Sequence, residues 1–65
     1  METSVWVVVF KLRNGDTETL SDARGVMVFN TKTEAKDEAR DAQRGRDDVS
    51  YVTLAEYADA ADALA

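Results

Sequence analysis

The side chains that could act as nucleophiles in this chain are hydroxyls and amines. The 65 residues include no cysteine and no histidine, so Ser4, Ser21 and Ser50, like the threonines, have no imidazole to take their proton. The lysines lie among other charged residues, whereas an amine nucleophile needs a desolvated pocket. Carboxylates are numerous, but no pair lies in an apolar segment that would bury one of them for acid–base work. These residue types predict a protein that is not an enzyme.

Cofactor and metal sites lack the groups they need. Gly15, Gly25 and Gly45 stand apart in the sequence and form no phosphate-binding loop. Asp47 and Asp48 are adjacent, whereas the ligands of a calcium loop alternate around a central glycine and end at a distal glutamate. A chain this short also has little volume for a deep pocket. We therefore expect no catalytic residue, no cofactor and no metal.

Charge and length limit the partners of the chain. Thirteen acidic and eight basic side chains give a net charge of −5, which disfavours non-specific binding to DNA or to an anionic membrane. Residues 1–4 lack the basic residues of a signal peptide, and the apolar run after them is too short to span a membrane. We therefore expect a cytoplasmic protein without a membrane partner. A domain of this size is marginally stable alone, and oligomerisation is the remaining way to add stability when disulfides and metals are excluded.

The elements that would position any site begin with an apolar strand. Val5 to Phe10 is an unbroken apolar run, and a strand with one face in water would alternate instead. One face of this strand carries Trp6, Val8, Phe10 and Leu12. The other face carries Val5, Val7 and Val9. Both faces therefore need cover, which is a heavy demand on so short a chain.

Two further strands are predicted before the first helix. Asn14-Gly15 predicts a hairpin with a type I′ turn, in which both central residues take positive φ. The return strand, near residues 17–20, is less apolar and is expected at a sheet edge. A loop over residues 21–25 leads to Val26–Phe29, a second continuous apolar run that predicts another central strand.

A helix over residues 32–44 follows, with charges segregated around its axis. Thr31 and Glu34 have the spacing of a capping box, and Gly45 suits the left-handed residue that ends a helix. A stripe of small residues, against which we expect Trp6 to be largely buried, contains Ala35, Ala39 and Ala42. A basic stripe beside it contains Lys32, Lys36, Arg40 and Arg44. An acidic face beyond that contains Glu34, Asp37, Glu38 and Asp41.

The C-terminal part of the chain predicts a strand and a short helix. Val49–Leu54 alternates and is rich in β-branched and aromatic residues. Residues 55–65 are rich in alanine and favour a helix, but Thr53 and Glu56 form a second possible capping box and leave the boundary ambiguous. The tail can dock on its own sheet, can dock on another chain as a recognition helix, or can fray. The sequence leaves these choices open.

The sequence as a whole predicts one small α+β domain over residues 1–65. Its order is β-β-β-α-β with a two-layer antiparallel sheet, one packed helix and a short C-terminal helix. An uncovered face of Val5, Val7 and Val9 would be a contiguous apolar patch, which soluble monomers rarely tolerate. We therefore expect a homo-oligomer, and specifically a dimer, formed through that face.

The leading functional hypothesis is a small acidic non-catalytic binding protein that acts by occupying a protein partner. Modifiers of host machinery encoded by mobile elements have this size and charge balance, although fold and size alone do not establish function. The candidate partner-binding residues are Glu34, Asp37, Glu38, Asp41, Glu56, Asp59 and Asp62.

Two alternatives come from other functional classes. The basic stripe of the 32–44 helix could follow a phosphate backbone, as in a nucleic-acid-associated regulator. The arrangement is more typical of side chains that lie along the rim of the helix–sheet contact with their charges in water, and no aromatic residues interleave with them to stack bases. Nucleic acid is therefore the less favoured partner. The third hypothesis is a structural subunit of a homo-oligomer.

Overall fold

The first apolar run of the sequence forms the central strand of the fold. The computed structural model describes residues 4–64, and it confirms the α+β class, with one main helix and a short C-terminal helix. The elements in chain order are β1 (Val5–Leu12), β2 (Thr17–Thr19), β3 (Ser21–Asp22), β4 (Gly25–Val26), α1 (Lys32–Gln43), β5 (Val49–Tyr57) and α2 (Ala60–Leu64). The main antiparallel sheet has the order β2-β1-β5, and β3 and β4 form a separate two-stranded sheet.

Strand β1 is paired along both of its edges. On one side it pairs with β5 from Val5↔Tyr57 onward, with a register shift between Lys11 and Leu12. On the other side β2 pairs with Val9 to Lys11. Strand β1 is therefore the central strand of the main sheet.

The prediction of a central strand at Val26–Phe29 is wrong. Val26 belongs to the small β3–β4 hairpin. Phe29 forms an isolated antiparallel bridge to Trp6, in which both N–H···O=C distances are 2.8 Å. Strand β5 takes one edge of β1 and β2 takes the C-terminal half of the other edge. The space left for this segment is therefore a short stretch beside Trp6.

The predicted hairpin between β1 and β2 is present, but its turn type differs. Gly15 has φ +95°, whereas no residue other than glycine has positive φ among those described, so Asn14 does not adopt the type I′ conformation. The Leu12 N–H donates to the Asp16 carbonyl at 2.9 Å, and the Gly15 N–H donates to the Leu12 carbonyl at 3.0 Å. This pattern is a three-residue loop, in which a type I turn is followed by a left-handed glycine.

Helix α1 begins and ends close to its predicted limits. The Glu34 N–H donates to the Thr31 hydroxyl oxygen at 3.1 Å, which is the bond expected of an N-cap threonine. The Glu34 carboxylate accepts from the Thr31 hydroxyl at 3.0 Å, whereas in a capping box it would accept from the backbone N–H of Thr31. At the other end Arg44 is the extended C-cap and Gly45 has φ +80°. No helix within residues 4–64 combines the length and hydropathy needed to cross a membrane.

The main core lies between α1 and one face of the sheet. Its buried members are Val8, Phe10, Phe29, Ala35, Ala39 and Val49. The two alanines let the helix approach the sheet closely, as the small-residue stripe predicted. Trp6 packs against this cluster, which includes Ala35 and Ala39, and is partly buried. Phe10 and Val8 are the largest fully buried side chains among the described residues.

The boundary between the last strand and the tail helix lies later than predicted. Strand β5 continues to Tyr57 because β1 offers pairing partners as far as Val5. The capping box of Thr53 and Glu56 is therefore not used. Instead the Asp62 N–H donates to the Asp59 carboxylate at 2.9 Å, and α2 is a five-residue helix.

Helix α2 docks on its own chain. It contacts β1 and β5, and none of its residues belongs to the core under α1. Val7, whose side chain points away from that core, is only 3% exposed. Helix α2 therefore lies against the sheet outside the core under α1, on the side of Val7.

Candidate functional site

The most distinctive open feature of the fold is the outer edge of β5. Trp6 uses both its N–H and its C=O to bond Phe29, so neither group points toward β5. Glu56 lies opposite Trp6, and two opposed residues of an antiparallel pair exchange both bonds or none. The backbone groups of Glu56 therefore point outward. The ladder alternates, so those of Leu54 and Val52 do so as well.

No strand of the described residues 4–64 pairs with this edge. Val52, Leu54 and Glu56 lie opposite Phe10, Val8 and Trp6. Side chains of opposed residues share a face of the sheet. The three edge residues therefore direct their side chains to the α1 side and their backbone donors and acceptors out of the sheet.

An open groove of about 320 Å³ lies between α1 and this edge. Its apolar lining, which is buried or half-buried, consists of Ala39, Val52 and Leu54. Its polar lining, which is exposed, consists of Lys32, Lys36, Arg40 and Gln43. The groove thus has an apolar floor and a basic rim.

The order of residues along the groove shows how α1 runs relative to β5. The Lys32 amine lies 5.6 Å from the centroid of the Trp6 ring, within the range of a cation–π contact. Trp6 is opposite Glu56, near the C-terminal end of β5. The N-terminus of α1 is therefore near the C-terminal end of β5, and the two elements run in opposite directions.

The predicted basic stripe divides at its last residue. Lys32, Lys36 and Arg40 line the groove, but Arg44 does not. The Arg44 guanidinium lies 3.6 Å from the Asp41 carboxylate, and both side chains are well exposed. An exposed pair of this kind contributes at most ~1 kcal/mol. Arg44, the C-cap of α1, is therefore a basic residue outside the groove.

The predicted acidic binding residues are not gathered into one surface, and two of them have roles in the fold. Glu34 belongs to the cap of α1 and Asp59 is the cap of α2. Glu56 lies on the sheet edge beside the groove. The remaining positions, all exposed, are Asp37, Glu38, Asp41 and Asp62. Of these, Asp41 is the one that pairs with Arg44.

The predicted oligomer face is partly covered within the chain. Val7 is buried and Val5 and Val9 are half-buried. The largest exposed apolar side chains among the described residues are Tyr51 and Leu64, at 54% and 57% exposure. The contiguous patch that the sequence implied is therefore reduced by α2.

Arg46 is a contact residue that the sequence did not indicate. Its guanidinium lies 2.8 Å from both the Glu18 and the Asp48 carboxylates and 5.3 Å from the centroid of Phe10. The hydrogen bond to Asp48, and to a smaller extent the one to Glu18, raises the pKa of Arg46. The hydrogen bond from Arg46 lowers the pKa of Asp48. Arg46 thus ties β2 to the segment before β5.

A cross-strand contact of this kind has no local sequence signal, because Glu18 and Arg46 are far apart in the chain. A second pocket, of about 140 Å³, lies beside Arg46 and Glu18. Arg46, the cation of this pocket, is already held by two carboxylates, so the pocket offers less charge to a ligand than the groove beside β5.

Compared with models of known protein families, with curated proteins and with solved structures, the chain has no match in any of the three.

Proposed function

We propose that this protein is a small non-catalytic binding protein that acts by occupying a protein partner. The observation that supports this proposal most is the open edge of β5. An unpaired strand edge is a template for pairing with another chain, and extended segments commonly bind to such edges. A modifier of larger machinery is one form that such a protein can take. The proposal includes the cytoplasmic location that the sequence suggested.

The position of the groove favours a macromolecule over a small ligand. The groove is open along its length and continues into the strand edge, so a ligand in it remains largely in solvent. Small-molecule sites instead enclose most of their ligand. An extended chain can use the apolar floor and the backbone groups of β5 together.

This proposal moves the contact surface away from the acidic residues named from the sequence. Asp37 and Glu38 lie on the exposed side of α1, and charged positions of that kind affect encounter rate and selectivity more than affinity. They remain candidates for steering the partner. A dimer through the face of Val5, Val7 and Val9 also remains a proposal, but the burial of Val7 within the chain leaves less area for it.

The proposal can be tested by capture of partners from a lysate of the native cell with matched edge variants. Glu56→Pro removes an outward N–H, and proline is tolerated where the strand N–H faces solvent. Glu56→Gln removes the same charge but keeps the N–H. We expect the glutamine variant to capture the same protein as the native chain and the proline variant to lose it, with similar melting temperatures.

Reversal of charge at Asp37 and Glu38 is the comparison for the acidic surface. Loss of capture in that variant alone, with full capture by Glu56→Pro, would place the contact on the outer face of α1 and refute the edge. A capture that disappears on nuclease treatment would instead favour nucleic acid.

A second candidate function is binding of nucleic acid, which the cations of Lys32, Lys36 and Arg40 along one groove favour. Phosphate binding of this kind weakens steeply with salt. A titration with single-stranded and duplex oligonucleotides over a range of salt concentrations tests it. Binding that Lys36→Glu abolishes and Arg44→Glu leaves intact would support the groove as a phosphate site.

A further inference from the structure

We propose that the groove beside β5 binds an extended acidic peptide segment, which adds to the sheet as a new strand. This inference rests on the proposed function and names the chemistry of the partner. Its backbone pairs with the outward groups of Val52, Leu54 and Glu56. Its acidic side chains, at alternate positions, lie over Lys36 and Arg40.

The backbone part of the site is already formed. The outward N–H and C=O groups of Val52, Leu54 and Glu56 recur at every second residue, which is the spacing that an added strand requires. Because β1 holds the other edge of β5 along its whole length, the strand is ordered before a peptide arrives. Less conformational entropy is therefore lost on binding.

The side-chain part of the site selects for negative charge. An added strand at this edge places every second side chain on the α1 side of the sheet, over the groove. There it meets Lys32, Lys36 and Arg40, none of which forms an ion pair with another described residue. The apolar floor of Val52 and Leu54 suits the methylene stem of a glutamate, while the rim suits its carboxylate.

The same charges argue against a second copy of this chain as the occupant. The edge is self-complementary in register, since a twofold axis at Leu54 would pair Val52 with Glu56 of the other copy. That axis would also bring two basic rims face to face across the seam, each with Lys32, Lys36 and Arg40. Two Glu56 side chains do not balance six cations, and juxtaposed like charges are costly.

Nucleic acid would use only part of the site. A phosphate backbone can bind the cations, but it has no donors to match the outward carbonyls of β5. The groove presents no free aromatic face, because Trp6 is half-buried and lies under the Lys32 amine. Stacking on aromatic side chains is what makes single strands bind tightly to such surfaces. A peptide matches the backbone groups, the floor and the rim together.

The inference can be tested with short capped peptides of alternating glutamate and valine, labelled for fluorescence anisotropy and titrated with the full chain. The matched probes replace glutamate by lysine, replace glutamate by glutamine, or carry N-methyl groups on alternate residues to block strand pairing. We expect the glutamate peptide to bind and the lysine and N-methylated peptides to bind at least about tenfold more weakly, since opposed charges and lost backbone bonds each cost affinity.

Two variants of α1 provide the control on the protein side. Lys36→Glu reverses a charge in the groove, and Arg44→Glu makes the same change at the C-cap of α1, outside the groove. We expect Lys36→Glu to weaken binding of the glutamate peptide roughly threefold to tenfold, from one exposed attraction lost and one repulsion gained. Arg44→Glu is expected to change binding by less than about twofold, because screening weakens charges distant from the peptide.

Each other outcome contradicts a different part of the inference. Equal binding of the N-methylated peptide would refute strand addition. Equal binding of the glutamine or lysine peptide, still blocked by N-methylation, would refute the acidic partner while the edge and the proposed function stand. Binding of no peptide, with sedimentation showing a dimer that Glu56→Pro dissociates, would assign the edge to a second copy. Tighter binding of a single-stranded oligonucleotide, sensitive to Lys36→Glu, would assign the groove to nucleic acid.

Discussion

Val7 and Val8 allow a matched comparison of the two faces of the sheet. They are neighbours on β1, they are 3% and 0% exposed, and they point to opposite sides. Val8 packs in the core under α1, whereas Val7 lies on the side of the five-residue helix α2. Substitution of each by alanine removes the same two methyl groups from a different environment.

The expected costs follow from transfer and cavity terms. Two buried methyl groups correspond to about 1.6 kcal/mol of transfer free energy in either variant. At Val8 the neighbours are a regular helix and a fully paired strand, so the cavity of roughly 40–50 Å³ stays open and adds about 1 kcal/mol. At Val7 the short helix α2 can shift inward and close most of it. We expect losses of about 2.5 kcal/mol for Val8→Ala and about 1.5 kcal/mol for Val7→Ala.

The measurement is equilibrium unfolding in urea, followed by the fluorescence of Trp6, the single tryptophan, and by circular dichroism. The native stability of a chain this size is about 3–10 kcal/mol, so both variants can be measured unless the native value is at the low end. With a slope near 1 kcal/mol per molar urea, the two midpoints are expected to differ by about 1 M. The exposed substitution Thr17→Ala serves as control and is expected within about 0.5 kcal/mol of the native chain.

A Val7→Ala loss equal to or larger than that of Val8→Ala would refute this reasoning. The face under α2 would then carry as much of the core as the face under α1. A change in the urea slope for Val7→Ala alone would instead indicate that α2 detaches before the sheet unfolds.

Three further predictions follow from single contacts. Asp59→Ala removes the cap of α2, and we expect the free energy of unfolding to fall by about 1 kcal/mol and amide exchange at Ala63 to become faster. Asp62→Asn keeps the cap and is expected to change neither the stability nor the exchange rate. Gly45 has φ +80°, and no atom lies within 4 Å of an added Cβ. Gly45→Ala is therefore expected to lower the stability by about 1–2 kcal/mol from backbone strain alone, and Gly45→Asn by less. Thermal melts of the two variants measure both losses. The Arg46 hydrogen bond lowers the pKa of Asp48, so its stabilisation is present above the unfolded value of about 3.9 and is lost as pH falls through the lower folded pKa. Asp48→Asn is therefore expected to flatten the acid limb of stability below about pH 4, and an unchanged limb would contradict the contact.

The basic rim of the candidate site could be recognised from the sequence, but the open edge of β5 that it faces could not. The four-residue spacing of Lys32, Lys36 and Arg40 places them on one side of a helix whatever the rest of the chain does. That this side faces the open edge of β5 depends on which strand ends the sheet. The sequence contains no signal for the order β2-β1-β5, because strand order is set by long-range pairing rather than by local preference.

The places where the sequence misled share one physical cause. Val26–Phe29 has the composition of a buried strand, and the pair of Thr53 and Glu56 has the spacing of a helix cap. Pairing with β1 overrode both. It left room for a single bridge at Phe29, and it drew β5 out to Tyr57. Local propensities amount to a few tenths of a kcal/mol per residue, and a run of backbone hydrogen bonds and buried side chains outweighs them.

The sequence by itself determined the local features of this protein. The apolar run from Val5 to Phe10 required a strand covered on both faces, and Thr31 and Gly45 set the limits of α1. These features depend on side chains and backbone angles within a few residues. The tertiary structure alone decided that α2 packs on β1 and β5, that Arg46 reaches Glu18, and that the outer edge of β5 lies open beside a basic groove. Each of these depends on which distant segments pair, and that choice is made by the free energy of the whole fold.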